Sequence, residues 1–173
     1  DGAYYSGNGL IKAKGKIELL THQGGTYPDE AKTAKGIYNE ADIEAGTRVS
    51  LNSAGTLKNT GEIRSLNGDI SIGAQKGLIN GIDGDTKANI QAKGNVTILS
   101  MLGGTTNYGN LTSDEGTVDI LAAGTYFLDD NKNTDVVGDV INYGEIRSKK
   151  DVTLRSYNGN ISNENQIHTN GSI

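Results

Sequence analysis

Gly61-Glu62-Ile63-Arg64-Ser65-Leu66-Asn67-Gly68-Asp69-Ile70-Ser71-Ile72 is the stretch that decides the fold. An aliphatic residue (Ile63) is followed two places on by a small one (Ser65), then by Gly68 and a second aliphatic, Ile70. The same phrase starts at Ile11, Ile43, Ile63, Ile90, Leu111, Ile146 and Ile167. Its second aliphatic falls at Ile17, Val49, Ile70, Val96, Val118, Val152 and Ile173. The phrase alternates with period two, as a half-buried strand does. In the first copy Ile11, Ala13, Ile17 and Leu19 face inward, and Lys12, Lys14, Lys16 and Glu18 face water. One or two short strands cannot bury their own apolar face, so such a repeat is stable only when stacked on copies of itself.

Two further landmarks recur with it. A glycine stands two residues before the second aliphatic at Gly15, Gly68, Gly94, Gly116 and Gly171, and three before it at Gly46, while Lys150 replaces it in the sixth copy. It marks a corner between two strands. Asparagine stands four residues ahead of the first aliphatic at Asn39, Asn59, Asn107, Asn142 and Asn163. Asn suits turns, and stacked amides form ladders between adjacent strands. Three strands and three corners in roughly 20 residues predict one turn of a parallel β-helix, with turns ~4.8 Å apart and a rod about 30 Å long. A left-handed helix of hexapeptide repeats fits less well, because no six-residue period runs through the chain.

Composition alone is ambiguous. The hydrophobic fraction is 34%, with one Phe and no Trp, near the range of disordered chains. Periodicity decides for order. The 25 Gly against a single Pro predict many tight turns with unusual backbone conformations. A net charge of −5 without a basic, aromatic-interleaved patch argues against nucleic acid as a partner. No apolar stretch is long enough for a membrane span. The absence of Cys excludes disulfides and thiolate metal sites.

Successive phrases start 32, 20, 27, 21, 35 and 21 residues apart, so long and short turns alternate. The long intervals predict insertions at about 22–36, 81–88 and 125–139. Placing them on every second turn gives each bulky loop about 9.6 Å, twice the strand spacing. Leu19-Leu20-Thr21 aligns with Ile98-Leu99-Ser100, and Asp119-Ile120-Leu121-Ala122 with Ser50-Leu51-Asn52-Ser53. The first and third insertions therefore leave from one junction, four turns apart, and the second from another, just after Asn80. Pro28, Asp29 and Glu30 followed by Lys32, Lys35 and Gly36 are helix start and stop signals, which predict a short helix near 28–35.

The phrases Ile90-Gln91-Ala92-Lys93-Gly94-Asn95-Val96-Thr97-Ile98-Leu99-Ser100, Gly61 to Ile72, and Gly77-Leu78-Ile79-Asn80 resemble the repeats of filamentous haemagglutinin-type exoproteins. These are bacterial proteins exported by two-partner secretion, and the sticks of contact-dependent growth inhibition carry similar repeats. The resemblance covers nearly the whole chain apart from the insertions. The Asn-Pro motifs of the family's secretion domain are missing, since Pro28 follows Tyr27. The resemblance is thus to the repeat shaft. It implies an all-β, right-handed, single-stranded parallel β-helix, secreted to the surface of a Gram-negative cell by an outer-membrane transporter. It carries over no catalytic residue and no cofactor. The absence of a polar cap at either end leads us to expect about seven turns of a longer repeat protein.

Some β-helices are polysaccharide lyases or hydrolases, and Asp42, Glu44 and Glu62 beside Arg64 offer the acids for cation binding or acid–base work. A solvated face with a cross-strand Glu44–Arg64 pair explains them more simply. Asp129, Asp130, Asn131, Asn133 and Asp135 space oxygens as calcium loops do, but Thr134 and Val140 stand where Gly and Glu are required. His22 and His168 have no ligand-spaced partner. Tyr4, Tyr5, Tyr27, Tyr108, Tyr126, Tyr143 and Tyr157 fall mainly at loops or corners, where they cover core ends or stack on a partner.

The expected function is that of a non-enzymatic adhesin shaft touching a host-cell or bacterial surface receptor, protein or glycan. Its contact residues are those that break the repeat: Tyr27, Pro28, Asp29, Glu30, Lys32 and Lys35, and Tyr126, Phe127, Asp129, Asp130, Asn131, Asn133 and Asp135. The alternatives are a stick presenting a growth-inhibition toxin and a β-helical carbohydrate-active enzyme.

Overall fold

The computed structural model describes residues 4–5 (backbone only), 9–21, 36–85, 87–124 and 137–173. Every named element among them is a strand. The short helix expected near 28–35 lies outside the described residues. The first turn of the chain supplies β1 (Tyr4–Tyr5), β2 (Leu10–Ala13) and β3 (Lys16–Leu20), one to each of three sheets. Each later turn through the sixth adds one strand to each sheet in the same order, and the seventh adds one to each of the first two.

The first sheet stacks β1, β4 (Ile37–Asn39), β7 (Thr56–Asn59), β10 (Gly77–Asn80), β13 (Thr105–Asn107), β16 (Val140–Asn142) and β19 (Ile161–Asn163). The second stacks β2, β5 (Asp42–Ala45), β8 (Glu62–Ser65), β11 (Asn89–Ala92), β14 (Asn110–Ser113), β17 (Ile146–Ser148) and β20 (Ile167–Thr169). The third stacks β3, β6 (Arg48–Ser53), β9 (Ile70–Ala74), β12 (Val96–Ser100), β15 (Val118–Ala122) and β18 (Val152–Ser156). All neighbours are parallel and three strands apart in sequence, which is the topology of a parallel β-helix.

Register follows the repeat. Ile11, Ile43, Ile63, Ile90, Leu111, Ile146 and Ile167 form one column down the second sheet. Ile17, Val49, Ile70, Val96, Val118 and Val152 form another down the third. From Ile43 to Ile146 the first column is fully buried, and the two belong to a single core cluster. A one-residue slip would turn a whole column to water, so burial fixes the register.

The small residue of the phrase has a structural reason. It stands at the end of a strand, under a corner. Ser65 Oγ donates to the Thr47 carbonyl (3.1 Å), Ser113 to Gly94 (2.7 Å) and Ser148 to Gly116 (2.9 Å), each a carbonyl at the corner of the preceding turn. Where Ala stands instead, at Ala45 and Ala92, the side chain is buried in the core.

The corner glycines act by closeness rather than by backbone freedom. A Cβ on Gly46 would strike the Lys14 carbonyl, and one on Gly68 the Thr47 carbonyl, because successive turns pass there with no room between them. Positive φ occurs where insertions leave, at Gly81 (93°) and Gly124 (64°), inside the second insertion at Gly84 (77°), and at one plain corner, Gly77 (125°). The same corner as that of Gly68 carries a bridge that the repeat did not reveal. Asp69 Oδ1 accepts from the Asn95 N–H (2.7 Å), Asn95 Oδ1 from Thr117 (2.9 Å) and Asp151 Oδ1 from Ser172 (2.8 Å).

The asparagines form the expected ladder. Asn39 Nδ2 donates to Asn59 Oδ1 (2.7 Å), Asn59 to Asn80 (2.8 Å), Asn80 to Asn107 (2.8 Å), Asn107 to Asn142 (2.7 Å) and Asn142 to Asn163 (2.7 Å). In most rungs the second N–H reaches the carbonyl two residues on, as from Asn107 to Gly109 (2.9 Å). Asn80 completes the column although it stands ten residues ahead of Ile90, because the second insertion separates them.

Candidate functional site

The thirteen residues expected to make contact, Tyr27 to Lys35 and Tyr126 to Asp135, lie outside the described residues, as do His22 and the Asp129–Asp135 segment. Their anchors are described. Thr21 follows β3 and Gly36 precedes β4; Gly124 follows β15 and Val137 precedes β16. Both insertions therefore join the third sheet to the first, in turns one and five, as the aligned sequences require. Four rungs at ~4.8 Å put their roots about 19 Å apart. The intervening turns cross the same edge by short corners. A shallow recess of about 630 Å³ lies there, lined by Leu20, Asn52, Gln75, Leu99 and Met101 among others. Leu20 is 56% exposed and Met101 42%, so its apolar side chains face solvent.

Within the acid group on the second sheet, Glu44 and Glu62 are engaged in ion pairs. Glu44 and Arg64 are strand neighbours in register, as expected. Glu44, however, pairs with Lys12 (2.6 Å) on the other side, while Arg64 pairs with Glu62 (2.9 Å) and donates to Gln91 Oε1 (3.4 Å). The expected Glu44–Arg64 pair is thus replaced by a chain of contacts running up the outer face, extended by Gln91 Nε2 to Asp114 (3.2 Å). Among the described residues no group of three His, Cys, Asp or Glu side chains is placed to hold a metal ion. No described helix is long and apolar enough to cross a membrane.

A second polar cluster sits higher on the same face. Glu145 Oε1 lies 2.7 Å from Arg147 Nη2 and 3.3 Å from His168 Nε2, and His168 Nε2 is 2.8 Å from Gln166 Oε1. The Arg147 hydrogen bond holds the Glu145 carboxyl below its ordinary range, and the same bond raises the Arg147 pKa. A groove of about 470 Å³ adjoins this cluster, lined by Thr112, Asp114, Arg147, Lys149, His168 and Asn170 among others.

Tyrosines account for what the sequence reading missed. Tyr108 and Tyr143 occupy the same corner in successive turns, with ring centroids 5.0 Å apart and planes 8° from parallel. Both appear as Asn-Tyr-Gly, directly after a ladder asparagine, so the register was available in the repeat. They do not cover an end of the core; they stack on its outer edge. Tyr38 likewise lies on an outer face, with Lys58 Nζ 5.8 Å from its ring centroid.

Comparison of the chain with protein-family models, with curated proteins and with solved structures finds no match in any of the three, so the functional reading rests on the geometry and on the repeat itself.

Proposed function

We propose that this chain is a shaft segment of a secreted bacterial surface adhesin, a stiff spacer that carries contact loops away from the cell. The observation behind this is the unbroken set of internal columns. The aliphatic column of the second sheet runs through all seven turns and the amide column from Asn39 to Asn163, while both long insertions are rooted at one corner edge. A rod held this way gains length by adding turns, and each turn touches only its neighbours. Glu44 and Glu62, acids that a carbohydrate-active reading would use, are tied into surface ion pairs.

The test is a variant with 22–35 and 125–136 replaced by short Gly-Ser corners. Its strand circular dichroism should match the parent, and attachment of beads carrying it to cultured epithelial cells should fall. Undiminished attachment would remove the contact role of the insertions. Loss of the strand signal would remove the shaft reading.

A further inference from the structure

The tyrosine corner and the polar cluster beside it form one surface, distinct from the two insertions. Tyr143 is stacked on one side by Tyr108. On the next turn Glu164 stands at the same corner, but its carboxylate accepts from Ser162 Oγ at 2.8 Å, toward the outer face of the first sheet. Tyr143 stays 45% exposed. Gly144 follows it, and a Cβ there would strike the Gly109 carbonyl, so the position between ring and cluster carries no side chain. Glu145, Arg147 and His168 come next on the outer face of the second sheet, joined within 2.7–3.3 Å. The groove edged by Thr112, Lys149 and Asn170 continues from them.

This is an aromatic face bordered by planar carboxylate, guanidinium and imidazole groups. A pyranose ring has a matching division: one face of C–H bonds and a rim of hydroxyls that both donate and accept. A lipid surface needs a wide apolar face with cations around it, and this corner offers one exposed ring with a carboxylate beside it. A protein hot spot needs a desolvated apolar centre, and the flanking groups here are charged and half-exposed. We propose that the Tyr143 ring and the Glu145–Arg147–His168 cluster bind a neutral hexopyranose unit of a surface glycan. The sugar stacks on the outer face of Tyr143, and its hydroxyls bond Glu145 and Arg147. The adjoining groove takes the next units of the chain.

The test is saturation-transfer NMR on the whole chain with methyl β-galactopyranoside, methyl β-glucopyranoside and N-acetylglucosamine. A single ring on a shallow site binds in roughly the millimolar range. At least one sugar should receive saturation on its ring C–H protons. Tyr143→Ala and Arg147→Ala should each weaken the signal about tenfold or more, the loss of roughly 1.4 kcal/mol. Tyr143→Trp should retain it, and Tyr157→Ala, on another edge, should leave it unchanged. The proposal is overturned if none of the three sugars receives saturation, if transfer survives Tyr143→Ala, or if a proline-rich peptide takes the site in preference. Both insertions stay intact throughout, so these outcomes are independent of the insertion-deletion experiment.

Discussion

Replacing Asn107 with Ala should destabilise the rod far more than the same change at Asn39, although the two side chains are equally buried at 1% exposure. Asn107 accepts one amide bond from Asn80 and donates two, to Asn142 Oδ1 and to the Gly109 carbonyl. Its loss removes all three, at about 1 kcal/mol each, and strands the buried Asn142 Oδ1, for another ~1–3 kcal/mol. The expected cost is about 4–6 kcal/mol. Asn39 ends the ladder. It donates to Asn59 and to the Ala41 carbonyl, and its own Oδ1 is buried without a partner. Asn39→Ala removes two bonds, but the unpartnered acceptor merely moves to Asn59, so the cost is about 2 kcal/mol. Urea titration followed by circular dichroism reads the difference. At a slope of ~2 kcal/mol/M, the two midpoints should lie about 1–2 M apart. Equal midpoints would mean that the amides are packed side by side without sharing bonds, and the ladder account would be wrong. Asn107→Asp sharpens the test. A buried carboxyl has a folded-state pKa raised above its unfolded value. The folded form then binds more protons between those two pKa values, so the variant should lose stability as pH rises through that window and regain it on acidification.

Three further outcomes follow from the same geometry. Arg147→Ala should raise the Glu145 carboxyl pKa toward its ordinary range, read by NMR titration; in the parent, the stability this pair contributes should be present above that range and fade as pH falls through the lowered value. Gly144→Ala sets a Cβ against the Gly109 carbonyl and should cost about 1–3 kcal/mol in urea unfolding, whereas Gly84→Ala, in open space on the second insertion, should cost only its positive-φ strain of about 1–2 kcal/mol. Ile90→Ala, at the middle of a fully buried column, should cost about 2–5 kcal/mol.

The columns could be read from the sequence because burial enforces them. Ile63 and Ile90 are in register although 27 residues apart, since each has one inward direction and one partner layer. The insertion roots were equally plain, because the strands on either side kept their phrase. Legibility ended where a contact depends on which neighbour wins. Glu44 has Lys12 on one side and Arg64 on the other, and sequence offers no means of choosing; Arg64 was drawn to Glu62 on its own strand. Asn80 escaped the counting rule because residues 81–88 separate it from Ile90, though its strand Gly77-Leu78-Ile79-Asn80 carries the ladder residue at its end. The tyrosine stack was hidden for a different reason. Its partners belong to corners, which carry no aliphatic period, and only the rung spacing of ~4.8 Å makes a 5.0 Å ring stack follow from register.

The amide ladder also gives the rod a direction. Each described link runs from the Nδ2 of one turn to the Oδ1 of the next, from Asn39 toward Asn163. A reversed amide would set donor against donor on one side and acceptor against acceptor on the other, so one flip costs two bonds and the column keeps one sense. The aliphatic columns lack this polarity and would tolerate either. Directional stacking is therefore carried by the asparagines and apolar burial by the isoleucines. The corners are left to glycine, the residue on which one turn can lie directly against the next. Insertions are tolerated where they enter at those corners, because a loop there interrupts neither column. That is why the second insertion can depart directly after Asn80 while Asn80 keeps its bonds to Asn59 and Asn107.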